Sequence, residues 1–231
     1  MRSSHIGIFI TCLCCILLGA CSATINGGGS SNSVSLSGKM GSDSRTMSGV
    51  RAVLFDMVGN LTITQGTEEG LTVKADEKLL PLITSTLNDG TLTLKMDGSF
   101  KVNIDKGTAI DLDLKVKHLD MLNLKGAGSV KILTLDVPKL TVNLSGAGSV
   151  NIAGKATEQD ITLTGAGGYD SANTESQKVT VTVTGVGSAK VRVKSVLDAA
   201  ISGIGSIEYI GNPTTLNKNV SGLGHVKQVS Q

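Results

Sequence analysis

Few side chains in this 231-residue sequence could do covalent chemistry, and the most reactive of them are thiols. The four cysteines, Cys12, Cys14, Cys15 and Cys21, all fall within the first 21 residues. A cysteine thiolate can be alkylated or oxidised, or it can bind a metal. Because no thiol follows Cys21, the rest of the chain can form no disulfide. The chemistry to expect is therefore a modification of Cys21 itself.

The other candidates for catalysis are scattered along the chain. After the first 21 residues the histidines are His118 and His225, and the arginines are Arg45, Arg51 and Arg192. The sequence has no Ser-His-Asp spacing, no later cysteine pair and no histidine-rich cluster of the kind that nucleophilic catalysis or zinc binding uses. We therefore predict no catalytic residue, no metal site and no cofactor.

The residues before Cys21 have the pattern of an export signal. Arg2 is followed by the apolar run Ile6–Leu18, which is too short to span a bilayer and suits a secretory signal core. The Leu-Gly-Ala-Cys sequence at 18–21 resembles the processing site of bacterial lipoprotein signal peptides. That resemblance implies that residues 1–20 are removed and that Cys21 carries lipid on its thiol and on its new amino group. The alternative is an ordinary signal peptide with an incidental cysteine.

Residues 21–49 are predicted to be a lipidated cysteine followed by a flexible tether. Positions 22–49 hold nine Ser and six Gly without a sustained apolar period, a composition that behaves as a flexible coil. Position 22 is serine rather than aspartate, which in lipoprotein sorting implies the outer membrane of a Gram-negative bacterium. We expect the tether to hold a folded body away from that membrane.

The strongest pattern is a Gly-x-Gly repeat that begins near residue 120. Its glycines are Gly126 and Gly128, Gly146 and Gly148, Gly165 and Gly167, Gly185 and Gly187, Gly203 and Gly205, and Gly222 and Gly224. Successive first glycines are 20, 19, 20, 18 and 19 residues apart. Six copies at a nearly fixed period indicate a solenoid, and we predict a structural role for all twelve glycines. A dinucleotide-binding loop would need a third glycine and a following helix, which no copy supplies.

Apolar and polar residues alternate on both sides of each Gly-x-Gly, which is the periodicity of β-strands. A period near 19 residues with several short strands predicts one turn of a parallel β-helix, with turns about 4.8 Å apart. Val, Ile, Leu and Ala would then stack in an interior too narrow for aromatic rings, which make up 2% of the chain. Two external hydroxyl ladders would contain Ser145, Thr164, Thr184, Ser202 and Ser221, and Ser129, Ser149, Ser188 and Ser206.

The residue between the two glycines is apolar in every copy. These residues are Ala127, Ala147, Ala166, Val186, Ile204 and Leu223. Simple alternation would place them outside, on the face of the polar residues. Because they are always apolar, we expect the glycines to form a bend or bulge that turns them inward, since glycine tolerates the backbone angles required.

Residues 50–119 lack the repeat but contain several alternating segments. They predict irregular N-terminal coils that cap the regular repeats of 120–231 and form one continuous body with them. Phe55 and Phe100 lie in this part, where a less regular interior can admit a ring. Tyr169 and Tyr209 lie in the repeats, and we expect them in loop or end-cap packing, with a contact surface as the alternative.

Several of these segments resemble a known family. They are Val50–Phe55, Leu61–Gly66, Leu71–Asp76, Leu79–Leu80 and the serial Gly-x-Gly-Ser strands. They are similar to the family called putative auto-transporter adhesin, head GIN domain, over about residues 50–226. The resemblance implies an all-β, single-stranded right-handed parallel β-helix in exported proteins that are often lipoproteins. It supplies no catalytic residues.

The predicted function is binding rather than catalysis. A net charge of +2, with both signs spread along the chain, provides no basic face for nucleic acid. We predict a non-enzymatic cell-envelope lipoprotein that binds an envelope glycan or protein through the polar faces of its coils. The alternatives are a polysaccharide-active β-helix enzyme, which would need clustered carboxylates, and a purely structural or stress-response component. Because the coil at Val220–Val226 has a thin cap, we also expect a fold-back extension or a homo-oligomer.

Overall fold

The computed structural model describes residues 32–98, 100–102 and 109–230. In these ranges the chain is almost entirely β-strand. The elements are β1 (Asn32–Val34), β2 (Met40–Arg45), β3 (Ala52–Asp56), β4 (Val58–Gln65), β5 (Gly70–Asp76), a 3-10 turn (Leu80–Leu82), β6 (Ile83–Asn88), β7 (Thr91–Met96), β8 (Phe100–Val102), β9 (Asp111–Val116), β10 (Met121–Leu124), β11 (Ala127–Leu144), β12 (Ala147–Leu163), β13 (Ala166–Glu175), β14 (Lys178–Val183), β15 (Val186–Arg192), β16 (Val196–Ile201), β17 (Ile204–Ile210), β18 (Thr215–Val220) and β19 (Leu223–Gln228). Within the described ranges, no helix has the length and apolarity that a membrane crossing requires.

The strands stack into two long parallel ladders, which are the main faces of a β-solenoid. In its regular part the first ladder runs through β10, the C-terminal parts of β11 and β12, then β14, β16 and β18. The second ladder runs through β4, the N-terminal parts of β11 and β12, then β13, β15, β17 and β19. Each coil contributes one strand to each ladder. The predicted parallel β-helix is confirmed.

The register aligns equivalent residues of successive repeats in interior columns. In the first ladder one such column contains Val142, Ile161, Val181 and Ala199. None of the four is more than 3% exposed. Fully burying an aliphatic side chain stabilises a fold by roughly 1.5–3 kcal/mol, so these columns hold the coils together.

The residue between the two glycines lies outside the solenoid, and the predicted inward bulge is wrong. Val186 is 58% exposed and Leu223 is 73% exposed. The alternation of inward and outward residues continues without a break from β14 to β15, so that Gly185 and Gly187 take inward positions. The chain turns its corner at these two glycines, and the apolar residue between them stays on the outward face.

The glycines are required because successive coils approach each other closely at this corner. A Cβ on Gly185 would lie 2.1 Å from the carbonyl oxygen of the corresponding glycine one coil earlier, and a Cβ on Gly187 would lie 2.2 Å from its counterpart. At all twelve glycines of the repeat the nearest backbone oxygen would be 1.8–2.2 Å from an added Cβ. Real Cβ atoms do not approach oxygen so closely, and any side chain would push the coils apart.

The N-terminal coils are not stacked in chain order. The coil of β3 and β4 lies between the coil of β7 and β9 on one side and that of β10 and β11 on the other. Three antiparallel strands then finish this end, since β6 pairs with β7, β5 pairs with β9, and β2 pairs with β5. Phe55 is fully buried here, as its position in the irregular half predicts. The side chain of Phe100 lies outside the described residues.

Part of the predicted tether belongs to the folded body. Within the predicted range 21–49, β1 pairs with β8, and β2 runs antiparallel to β5. Arg45 is held in place, since its Nε donates to Asp43 at 2.8 Å and its Nη1 donates to Ser85 at 3.0 Å. The sequence does not predict β2, because this strand has no apolar period and backbone pairing does not require one. The predicted signal peptide, 1–20, and Cys21 lie outside the described residues.

Candidate functional site

A shallow polar groove of about 490 Å³ runs along the outward face of the second ladder. Two columns of side chains line it, each with one residue from each of five successive coils. The serine column is Ser129, Ser149, Gly168, Ser188 and Ser206, and the charged column is Lys131, Asn151, Asp170, Lys190 and Glu208. His225 and Lys227 continue the two columns on β19.

Strand alternation places both columns on the outside. In β15, for example, Ala189 and Val191 point into the core, so that Ser188 and Lys190 must point out. Parallel pairing repeats this arrangement about every 4.8 Å along the solenoid. The Oγ atoms of Ser129 and Ser149 are 3.5 Å apart. The groove is therefore a regular array of hydroxyl, amide and charged groups on a rigid sheet.

Gly168 interrupts the serine column and leaves a notch in its middle. The residues in register with Gly168 on the neighbouring coils are Ser149 and Ser188. An added Cβ at Gly168 would meet nothing closer than the Ser188 Oγ, 4.0 Å away, whereas at the adjacent Gly167 it would lie 2.0 Å from the Gly148 oxygen. Coil packing requires Gly167 but does not require Gly168.

The charged side chains of the groove alternate in sign over three successive coils. Lys190 stands in register between Asp170 and Glu208. The ion pairs formed by the described side chains lie elsewhere on the solenoid and involve no residue of the charged column. The backbone N–H of Ala172 donates to Asp170 at 2.8 Å and fixes that carboxylate near the notch. These charges face solvent, where a ligand can reach them.

A buried polar cluster lies beneath the groove, inside the solenoid. The Tyr169 hydroxyl donates to the Gln159 side-chain oxygen, and the Gln159 amide donates to the Ser176 hydroxyl at 2.5 Å. All three residues are 2% exposed or less. Burial raises the pKa of the Tyr169 phenol well above its usual value, so that it stays neutral. The cluster connects β12 to β13, the strand that carries the notch.

Both tyrosines of the repeats lie inside the coils rather than in a loop or on a contact surface. Tyr209, which lies beneath Lys218 of the last coil, is in the predicted end-cap packing. Tyr169 is 2% exposed and Tyr209 is 5% exposed. The ring of Tyr169 fits because its neighbour on the next coil, Ala189, is small. Other interior residues of this column include Leu61, Val130, Val150 and Ile207. A narrow coil therefore admits a ring when an adjacent coil makes room for it.

The structure places the predicted surface residues in different regions. The first hydroxyl ladder, from Ser145 to Ser221, is exposed at the corner before each Gly-x-Gly and does not line the groove. The second hydroxyl ladder forms the serine column. His118 is exposed between β9 and β10, while His225 extends the serine column in register with Ser206. Over the described part of the chain, no three His, Cys, Asp or Glu residues form a group that could hold a metal ion.

Sequence reasoning missed the notch and the charged column. The signal for the notch is visible, because position 168 is glycine where the other copies have serine or histidine. The signal for the charged column lies two positions after the serine-column residue of each copy. The charge at this position alternates in sign from Asp170 onward. Neither signal was separable from ordinary surface variation before the register was known.

A β-solenoid with a polar outward groove defines the class of this protein, and comparison with known proteins supplies its family. The chain belongs to the family described as "Putative auto-transporter adhesin, head GIN domain", whose model matches residues 56–213. Among curated proteins, no match to the chain was found.

Three solved structures share the fold. A putative adhesin from Bacteroides fragilis NCTC 9343 is 25% identical, with a TM-score of 0.71 over 84% of this chain and 98% of that one. A putative adhesin from Parabacteroides merdae ATCC 43184 is 19% identical, with a TM-score of 0.55 over 86% of this chain and 100% of that one. A putative lipid binding protein from Parabacteroides distasonis ATCC 8503 is 19% identical, with a TM-score of 0.53 over the same shares.

Proposed function

We propose that this chain is a non-enzymatic adhesion module of the bacterial cell envelope, anchored by lipid on Cys21, and that its groove binds an envelope glycan. The family and the adhesin names of similar structures support an adhesion-type role. The observation that carries the proposal is the notch at Gly168, a position that coil packing leaves free, at the centre of a polar groove.

The chemistry of the groove favours a glycan over a protein partner. Protein interfaces depend on a few buried anchors, most often Trp, Tyr and Arg. The groove is lined by no Trp or Arg, and Tyr169, which does line it, is only 2% exposed because its ring points into the core. Hydroxyl, amide, carboxylate and ammonium groups instead match a ligand rich in hydroxyls, and the open groove suits a polymer that lies along the solenoid.

The groove is less suited to glycoside hydrolysis. Enzymes of that kind position two carboxylates on either side of one bond. Asp170 and Glu208 are both in the charged column, but Lys190 stands between them in register. The strand register thus places them two coils apart with a cation between them, an arrangement for binding alternating polar groups rather than for acid–base chemistry.

A matched pair of glycine variants tests the proposal. Gly168→Ser completes the serine column without a backbone clash, and we expect it to weaken glycan binding at least tenfold by filling the notch. Gly66→Ser is the control, because an added Cβ there also meets nothing within 4 Å and the residue lies outside the groove. The purified chains would be applied to an array of bacterial surface polysaccharides and peptidoglycan fragments. Binding that is equal for all three chains, or absent from the wild type, would contradict the proposal.

A further inference from the structure

The C-terminal end of the solenoid is formed by β18 and β19. Among the described residues, β18 pairs with β16 alone and β19 pairs with β17 alone. Each strand therefore has one edge on which no described strand is paired. Such edges are templates on which another strand can add. Leu216 and Val220 of β18, which stack under buried residues of β16, are 37% and 42% exposed.

A lysine occupies an interior position in this last coil. Lys218 is in register with Ala199, and it therefore continues the column of Val142, Ile161 and Val181. In those four preceding coils the position is aliphatic and buried. A cation at this position is incompatible with a further coil stacked directly upon it, because burying an unpaired charge is strongly unfavourable.

The Lys218 side chain reaches across the end of the solenoid from one ladder to the other. Its Nζ donates to the Val226 carbonyl oxygen on β19 at 3.2 Å. The same ammonium lies 5.3 Å from the centroid of the Tyr209 ring, which is 5% exposed. The contact with the ring face is attractive. The side chain thus covers the last interior ring with its cation.

The carbonyl that Lys218 binds belongs to the free edge. The N–H groups of Leu223 and Val229 donate back to the preceding coil, each at 2.9 Å. In a parallel strand the backbone N–H and C=O groups of successive residues point to alternate edges. Those of Val226, which is three residues from both Leu223 and Val229, therefore point to the free edge. Its carbonyl is one of the acceptors that an added strand would use, and Lys218 occupies it.

We propose that Lys218 is a charged plug that prevents a second copy of this chain from pairing with the C-terminal edge. A second copy is the partner that fits, because its own last coil has the same outline and the same half-exposed Leu216 and Val220. Bringing two such ends together would bury two Lys218 ammonium groups, neither of which forms an ion pair with a described carboxylate. Inward-pointing charges are one of the means by which sheet proteins protect their edges.

Replacing the lysine with the residue of its own column tests the proposal. Lys218→Val restores the interior pattern and is expected to convert a monomer into a dimer or larger assembly. The control Lys178→Val removes the same charge from an exposed position on β14, in the same ladder, and is expected to leave the monomer unchanged. All full-length chains would carry Cys21→Ser, so that no lipid contributes to association. Molar mass would be measured by light scattering over a wide range of concentrations.

A second variant distinguishes the effect of losing the charge from the effect of losing the fold. Lys218→Met keeps a long apolar stem over Tyr209 while removing the ammonium, and it too is expected to associate. Circular dichroism and urea unfolding would identify any variant that has lost its fold. If Lys218→Val has lost its fold, the molar mass of Lys218→Met tests the proposal. The proposal is overturned if folded Lys218→Val or Lys218→Met remains monomeric, or if the wild type associates as strongly as they do.

Discussion

Adjacent glycines have opposite roles in this solenoid. Gly167 occupies an inward corner position where the Gly148 carbonyl leaves no space for a side chain. Gly168 faces outward in the serine column, where an added Cβ would have ordinary clearance. Neither residue has a positive φ, so the difference between them is steric rather than conformational. Glycine is thus a packing requirement at one position and an opening at the next.

Alanine substitutions at these two positions should separate the roles. Gly167→Ala forces coils apart and should lower the free energy of unfolding by about 1–3 kcal/mol, the usual cost of overpacking. Gly168→Ala should stay within about 0.5 kcal/mol of the wild type, as for other unobstructed surface sites. Urea unfolding monitored by circular dichroism measures both. Equal stability of the two variants would show that the corner can relax.

At the scale of elements, hydrogen bonds inside the coil connect neighbouring strands. Tyr169 on β13 and Gln159 on β12 bond to each other, and Gln159 bonds onward to Ser176 beyond β13. Buried polar groups of this kind stabilise a fold only while every member has a partner. The cluster therefore fixes β13, which carries Gly168 and Asp170, against the coil before it.

Tyr169→Phe should destabilise the fold by about 1–3 kcal/mol near neutral pH, because the Gln159 oxygen loses its donor. The difference should shrink above about pH 10, where the phenol of an unfolded chain ionises. The pKa of Tyr169 is raised in the folded chain, so its proton is lost first from the unfolded state, and the wild type loses stability as the pH rises. Urea unfolding of both proteins from pH 7 to 11 measures this, with Tyr209→Phe as the comparison. A stability gap that is constant with pH would contradict the assignment.

The strands also differ in how clearly the sequence predicts them. The strands of the repeats follow a period of two, with aliphatic residues on one side, and are apparent from the sequence. The strand β2 has no such pattern, because Ser, Gly and Asp form most of it and its partner β5 supplies the buried residues. An added Cβ on Gly41 would lie 2.8 Å from Cδ1 of Leu80, the end of a side chain that can move aside, so β2 does not depend on glycine at this position. The pairing of β2 is decided by the sheet edge that this strand meets.

For the whole molecule, the proposed lipid anchor determines where the groove acts. Cys21→Ser should abolish metabolic labelling with radioactive palmitate, because the thiol that accepts lipid is gone. Cys15→Ser is the control and should retain the label, since residues before Cys21 are expected to be removed. Label that survives Cys21→Ser, or mass spectrometry of a mature chain that does not begin at Cys21, would contradict the anchor.

The repeat period, the β-solenoid and the columns of glycine and aliphatic residues were determined by the sequence alone, because they depend on local alternation and on a spacing that recurs along the chain. The tertiary structure decided what depends on neighbours in other coils. Val186 lies outside because the corner turns at inward glycines, and the Tyr169 ring fits because Ala189 is small. Gly168 becomes a notch only between Ser149 and Ser188, and Lys218 becomes a plug only beneath a column of aliphatic residues. Stacking brings these residues together across about one period of the repeat, a contact that a linear pattern of polar and apolar residues does not specify.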